Sequence, residues 1–158
     1  MEQLFKRYNL QLVADSDKSY KTEQLKDIVV NSSKVVKKIN EIFSLDRKAE
    51  EYCILLCLDT RNYINGAFYI SQGNINSTNI NISNILKRAL MCNSEKIIIA
   101  HNHPSGNPNP SRMDHLLTKN LKEASDLIGI RLLDHIIIGG DNYTSIMKER
   151  EDLEKWMV

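Results

Sequence analysis

The sequence predicts an α+β fold, and three observations carry that expectation. The apolar run from Tyr52 to Leu58, followed by a turn and a second β-prone stretch, reads as a hairpin. Two more apolar runs, Lys96 to Ala100 and Arg131 to Ile138, are separated by one long segment of helical periodicity. After the second of them, Gly139 to Asn142 turns the chain and Tyr143 to Met147 can pair back. Strands and helices mixed in this way, with hairpins at both ends, favour α+β or three-layer architecture over a regular βαβ repeat.

In chain order, Tyr8, Leu10 and Leu12 alternate with polar neighbours, as a short strand would. Asn31-Ser32-Ser33 offers N-caps for a helix carrying Val35, Val36, Ile39, Ile42 and Phe43 at helical spacing. Residues 1–48 read as an N-terminal extension docked on a main body of residues 49–158, because a core that small would not stand alone. Tyr52 to Leu58 is apolar nearly throughout, as a strand buried on both faces requires. Asp59-Thr60-Arg61-Asn62 is a turn, and Tyr63 to Ile70 returns. An Asn/Ser-rich loop, Gly73 to Asn84, leads into a helix over Ser83 to Cys92 that presents Ile85, Leu86, Ala89 and Leu90 to a core. Lys96 to Ala100 delivers the chain into His101. A helix from Arg112 to Ile128 follows, with Leu116, Leu117, Leu121 and Ala124 inward, and a short polar helix closes the sequence.

Composition narrows the function classes. The chain has 158 residues, 42% hydrophobic and 26% charged, the balance of an ordinary globular domain and not of a disordered one. No apolar run approaches the roughly 20 residues that span a bilayer, and MEQLFKRYNL lacks the apolar centre of a signal peptide. The expected location is cytoplasmic. Cys53, Cys57 and Cys92, an odd number without a close CxxC pair, read as reduced thiols. The formal net charge of +1 supplies no basic stripe, and Lys34, Lys37 and Lys38 read as a solvated helix face. Charge therefore gives no support to a nucleic-acid partner.

The chemistry is concentrated in Ala100 to Asp114, AHNHPSGNPNPSRMD. His101 and His103 stand two apart at a strand end, so both imidazoles fall on one face, as two ligands of one metal require. Pro104, Gly106, Pro108 and Pro110 make a stiff loop ending at Ser111, a good N-cap, and Asp114 then falls in the first helical turn, where the helix dipole favours a carboxylate. Two imidazoles and a carboxylate leave the fourth tetrahedral position of a zinc ion open, the arrangement of a catalytic site. His135 reads as a core histidine and His115 as surface or groove, both outside the ligand set.

The motif HxHPSGxxxPSxxD resembles that of the JAMM/MPN+ metallopeptidases, in the form carried by bacterial RadC-like proteins. EYCILLCLDTRN before it and LLDHIIIGGDNYTS after it are similar to the flanking strands of RadC, so the resemblance covers about Glu50 to Ser145. It implies a JAB/MPN-like (cytidine deaminase-like) fold, a curved β-sheet flanked by helices with Zn2+ at its centre. It also implies a hydrolase cutting a peptide or isopeptide bond in a peptide or protein substrate. Residue by residue, His101, His103 and Asp114 match the family's zinc ligands, and Ser111 matches the serine that stabilises the tetrahedral oxyanion. Glu51 matches the general-base glutamate, with Glu50 as the neighbouring alternative. Such a base accepts a proton as zinc-activated water attacks a carbonyl.

Two features depart from the family pattern. Nothing here resembles the helix-hairpin-helix-like region with which full-length members begin, so the chain reads as the short form. The helix start written here Asn79-Ile80-Asn81-Ile82-Ser83-Asn84 differs from the usual basic-acidic one, which bears on selectivity if that segment touches substrate. Two other functions compete: a DNA-metabolism accessory factor, and a metal-bound interaction module without turnover. An HNH nuclease does not fit, because that motif's residues are dispersed over a ββα unit, whereas His101-Asn102-His103 are adjacent.

Overall fold

The computed structural model describes residues 12–13, 20, 25, 32–73 and 80–148. Its elements are α1 (Ser32–Phe43), β1 (Tyr52–Leu58), β2 (Ile64–Gln72), α2 (Ile82–Met91), β3 (Lys96–Asn102), α3 (Arg112–Leu127), β4 (Arg131–Gly139) and β5 (Asn142–Ser145). The strand expected around Tyr8 falls mainly outside the described residues, as does most of the closing helix.

The five strands form one open sheet in the order β2-β1-β3-β4-β5. β1 is antiparallel to both β2 and β3, β4 is antiparallel to β5, and β3 and β4 run parallel. A parallel pair cannot be joined by a tight turn, and α3 supplies the crossover. The fold is mixed α+β, an open five-stranded sheet flanked by helices, consistent with a JAB/MPN-like fold. Among the described residues no helix is long and apolar enough to cross a membrane.

Alternation along the central strands sends side chains to two cores. Ile54, Leu56, Leu58, Ile98, Ala100, Ile136 and Ile138 pack with Val35, Ile39 and Phe43 of α1. Leu55, Cys57, Ile97, Ile99 and Leu132 pack with Ile85 and Ala89 of α2 and Leu121 of α3. Helices cover both faces, so β1 and β3 are apolar almost without interruption. Odd-numbered residues of β3 face α3, and that parity decides where its histidines go.

Helix orientation departs from expectation in three places. The buried side of α3 is Asp114, Thr118, Leu121 and Ser125, while Leu116 is exposed and Ala124 and Leu117 are half-buried. Leu121 is inward as expected and Leu117 packs beside it, so Leu116 is the residue misplaced, while the polar Asp114, Thr118 and Ser125 join the buried side. In α2, Ile85 and Ala89 are buried but Leu90 is exposed. Lys38 is buried rather than solvated, its ammonium donating to the Glu41 carboxylate at 3.0 and 3.2 Å.

Candidate metal centre

β3 ends in the middle of the sheet, between an antiparallel and a parallel neighbour, and the loop from its carboxyl end leads into the N-terminus of α3. In open α/β sheets the crevice outside the carboxyl ends of strands, where connections diverge, is where ligands bind. His101 closes β3 on the α3 side, and His103 follows two residues later with the same parity. Their Nε2 atoms lie 3.0 Å apart.

Each imidazole is held from behind. His103 Nδ1 donates to the Asn107 carbonyl at 2.8 Å, and His101 Nδ1 lies 2.9 Å from His135 Nε2. A ring whose Nδ1 carries the hydrogen presents Nε2 as a lone pair. Two such lone pairs opposed at 3.0 Å repel unless a proton or a metal cation lies between them.

The start of α3 brings in the carboxylate. The Ser111 backbone N–H donates to Asp114 Oδ2 at 2.7 Å, and the Asp114 N–H donates to Ser111 Oγ at 3.2 Å, a complete capping box. Asp114 Oδ1 then lies 3.2 Å from His101 Nε2, and Oδ2 lies 3.8 Å from His103 Nε2. Burial by itself pushes the Asp114 carboxyl up. In the absence of a metal, a protonated His101 outweighs that through its hydrogen bond and charge, and with the two bonds to Ser111 holds the carboxyl well below the usual carboxylate range.

Glu51 reaches the same place from β1. Its Oε1 is 3.9 Å from His101 Nε2 and 4.0 Å from His103 Nε2. Ligand atoms of Glu51, His101 and His103 lie within 4.8 Å of one another, a group able to hold a metal ion. Asp114 closes on this group through two different oxygens, nearer to His101 than Glu51 is. Glu50, the neighbouring alternative, is exposed and accepts from the Gln72 side chain at 2.7 Å. Of the two, Glu51 is the one whose carboxylate reaches the histidines. Ala49, Glu50, Glu51, Gly73 and Pro104 line an open depression of about 380 Å³.

Of the other groups read from the sequence, His115 is exposed. His135 is fully buried directly behind His101, and burial first, then the charge of His101, holds its pKa well below the ordinary histidine value. Cys53, Cys57 and Cys92 are all free. Burial pushes Cys53 up to about 12, helped by the charges of Glu51 and Asp114, so it stays a neutral thiol beneath the site.

Two residues escaped the sequence reading. Asn102, between the two histidines, is buried on the opposite side of the strand. Its Oδ1 accepts from the Tyr52 N–H at 2.8 Å and its Nδ2 donates to the Glu50 and Lys48 carbonyls at 2.9 and 3.3 Å. The backbone on both sides of Glu51 is thereby tied to the histidine strand. Gly139 is the second: a Cβ there would meet Pro108 N, Gly106 O and Asn107 C at 2.6, 2.7 and 2.8 Å. The loop that supplies the acceptor for His103 lies directly on this glycine. A glycine pair after an apolar strand was visible, but read as the turn alone.

Both give measurable expectations. Gly139→Ala forces backbone atoms of the loop to move, so unfolding titrations should show a loss of about 1–3 kcal/mol, the usual cost of overpacking. Stability equal to wild type would mean that the loop does not rest there. Asn102→Ala leaves the Tyr52 N–H without its partner and should cost about 1–3 kcal/mol in the same assay. A loss well under that range would show that the segment carrying Glu51 does not depend on this side chain.

Comparison with known proteins agrees with this geometry. A family model described as the RadC-like JAB domain matches residues 29–152, which contain every element from α1 to β5. A UPF0758 protein of Clostridium beijerinckii is 36% identical over 150 residues, 95% of this chain and 60% of that protein. One from Carboxydothermus hydrogenoformans is 38% identical over 108 residues, 68% of this chain and 48% of that protein. Another, from Methanosarcina barkeri, is 43% identical over 104 residues, 66% of this chain and 45% of that protein. The chain thus spans about half the length of the curated relatives it matches, up to 60% of the longest-matched of these three. With the model covering most of its length and the strand-end histidines, loop and capped aspartate in place, the chain belongs to the RadC-like JAB domain family.

Proposed function

We propose that the chain is a zinc-dependent metallohydrolase that cleaves a peptide or isopeptide bond in a peptide or protein substrate. The observation that carries this reading is the convergence of His101 Nε2, His103 Nε2 and the Asp114 carboxylate, with Glu51 Oε1 one step further out. Tetrahedral zinc with bonds of about 2.0–2.1 Å separates its donor atoms by about 3.3–3.4 Å. The histidine nitrogens are 3.0 Å apart, and Asp114 approaches them through Oδ1 at 3.2 Å and Oδ2 at 3.8 Å, so the donor set fits a zinc ion in number and type and lies near this spacing.

In this reading His101, His103 and Asp114 hold the metal, with His103 oriented by the Asn107 carbonyl and Asp114 by the Ser111 N–H. Zinc supplies Lewis acidity, which makes water a competent nucleophile near neutral pH. Glu51 accepts the proton lost as water attacks the amide carbonyl, and returns it to the departing amine as the C–N bond breaks. The Ser111 hydroxyl, which accepts from the Asp114 N–H, retains a proton to donate to the developing oxyanion. The open depression beside Glu51 suits a segment of a larger chain better than an enclosed small molecule.

Metal analysis of the purified protein should find about one zinc per chain, removed in His101→Ala and in His103→Ala and weakened in Asp114→Asn, since an amide oxygen is a poorer ligand. Full occupancy in both histidine variants would overturn the ligand assignment.

Glu51→Gln separates base from ligand. It should keep its zinc while hydrolysis of peptide and isopeptide substrates falls about 10²–10⁴-fold. Loss of zinc in this variant would make Glu51 a ligand, and unchanged turnover would remove it from the mechanism.

A further inference from the structure

Behind the candidate ligands lies a second polar layer, fully buried, to which the hydrolytic reading gives no task. His101 Nδ1 lies 2.9 Å from His135 Nε2, and His135 Nδ1 lies 2.6 Å from Thr118 Oγ1. The Thr118 hydroxyl donates to the Asp114 carbonyl at 2.6 Å. His101, His135 and Thr118 are each 0% exposed. The chain of bonds begins at one candidate ligand and ends on the helical turn that carries another.

Proton counting allows this chain one direction. Thr118 has a single hydroxyl proton, given to the Asp114 carbonyl, so toward His135 it can only accept. His135 must then donate from Nδ1. A neutral imidazole has one N–H, so its Nε2 is bare and accepts from His101 Nδ1–H. A neutral His101 is then left with its lone pair on Nε2, the atom facing His103 and Asp114. A charged His135 would carry hydrogens on both nitrogens, and its Nε2–H would compete with the His101 Nδ1–H for the same line. With His101 offering Nε2 to a metal, this geometry calls for a neutral His135.

The backbone of β4 departs from regularity at the place that puts His135 there. In the ladder to β3, Ile97 pairs with Leu132 but Ile98 pairs with Asp134, so Leu133 is skipped. Leu132 faces α3, Leu133 packs on the α1 side, and after the extra residue His135 faces α3 while Ile136 returns to the α1 side. Without the shift, simple alternation would turn His135 into the apolar core under α1. Asp134 secures the irregularity, its Oδ1 accepting the His135 N–H at 2.8 Å and its Oδ2 the Ser145 hydroxyl at 2.7 Å. Bulges that re-aim one side chain are characteristic of functional sites.

We propose that His135 and Thr118 are positioning residues for the metal. They fix His101 in the tautomer that offers Nε2 and lock the strand bearing His101 to the first turns of α3 bearing Asp114. The proposal rests on the reading of His101 as a metal ligand, and it extends that reading to a residue that sequence patterning assigned to the core. Backing a ligand histidine with a neutral imidazole, where a carboxylate or carbonyl is usual, also adds no negative charge behind the metal.

The test compares the full chain with His135→Leu, His135→Gln and Thr118→Val, using chelator competition for zinc affinity and the visible spectrum of the cobalt-substituted protein for ligand geometry. His135→Leu should bind zinc about 10–100-fold more weakly, with an altered cobalt spectrum. His135→Gln keeps an acceptor toward His101 and should recover most of the affinity and the wild-type spectrum. Thr118→Val should fall between wild type and His135→Leu. Wild-type affinity and spectrum in His135→Leu would overturn the proposal, and so would equal losses in the leucine and glutamine variants, since packing alone would then explain them. Imidazole ¹⁵N shifts give a reading that needs neither metal binding nor a folded leucine variant. In the wild-type chain they should show His135 with its hydrogen on Nδ1 and a bare Nε2. A hydrogen on Nε2 overturns the proposal whatever the metal does. A wild-type chain that shows the expected tautomer yet binds no zinc would instead defeat the hydrolase reading.

Discussion

The reciprocal hydrogen bonds between Ser111 and Asp114 decide where α3 begins, and the rest of the site takes its position from that start. A helix must satisfy its first N–H groups, and the serine–carboxylate box does so with two residues. The third residue of such a box is more often Glu or Gln. With the shorter Asp, the carboxylate that reaches back to the Ser111 N–H stays close to the helix end, and its other oxygen meets His101 at 3.2 Å. Helix initiation and orientation of a candidate ligand are thus one interaction. Its electrostatics agree: the positive end of the helix dipole and the His101 imidazole both favour the anion, and together with Ser111 they outweigh the cost of burying it.

A sheet covered on both faces is a poor place for polar groups, and this one accommodates them by pairing each with another. Asn102 stands in for the ladder where β1 leaves it, Asp134 takes the N–H freed by the irregularity in β4, and Thr118 joins α3 to His135. The buried side-chain atoms without a partner among the described residues are Ser32 Oγ and Ser94 Oγ, neither of them at the site. Since an unpaired buried polar group costs about 1–3 kcal/mol, this pairing makes the site a rigid part of the core.

What could be read in advance follows from which signals are local. Spacing along one strand put His101 and His103 on a common face, and the distance from Ser111 to Asp114 marked a capped helix start. Strand limits emerged within a residue or two because runs such as Tyr52–Leu58 have no other reading. The N-terminal extension, by contrast, was judged from size alone, and the described part of it shows only that α1 packs on the sheet. The inner face of α3 was read correctly at Leu121 and in part at Leu117 and Ala124, but its polar members Asp114 and Thr118 were not, because hydrophobicity does not mark a helix face where it opposes polar groups. His135 was read as a core histidine, and it is buried, but its place behind His101 had no local signal. Alternation along β4 is broken by one unpaired residue, and that break exists only in the pairing with β3. Asn102 acts on the backbone of a strand 50 residues away in sequence, a relation no local pattern carries.

Charge gives the last link between the buried layer and the proposed chemistry. In the proposed metal site His101 and His103, each hydrogen-bonded through Nδ1, would bind as neutral imidazoles beside the two carboxylates Asp114 and Glu51. A divalent cation held there would balance the two carboxylates, as the proposed role of Glu51 as proton acceptor requires. A carboxylate in the place of His135 would leave an excess of negative charge directly behind a ligand, raising the basicity of His101 and dulling the acidity of whatever it holds. A neutral histidine supplies the same geometric restraint without that charge. In this arrangement α3 contributes three times: Asp114 in its first turn, Thr118 one turn further along, and Leu121 in the apolar core beyond. Polar chemistry passes into hydrophobic packing within three turns of one helix, and so a site built of charges can be held by a core that excludes them.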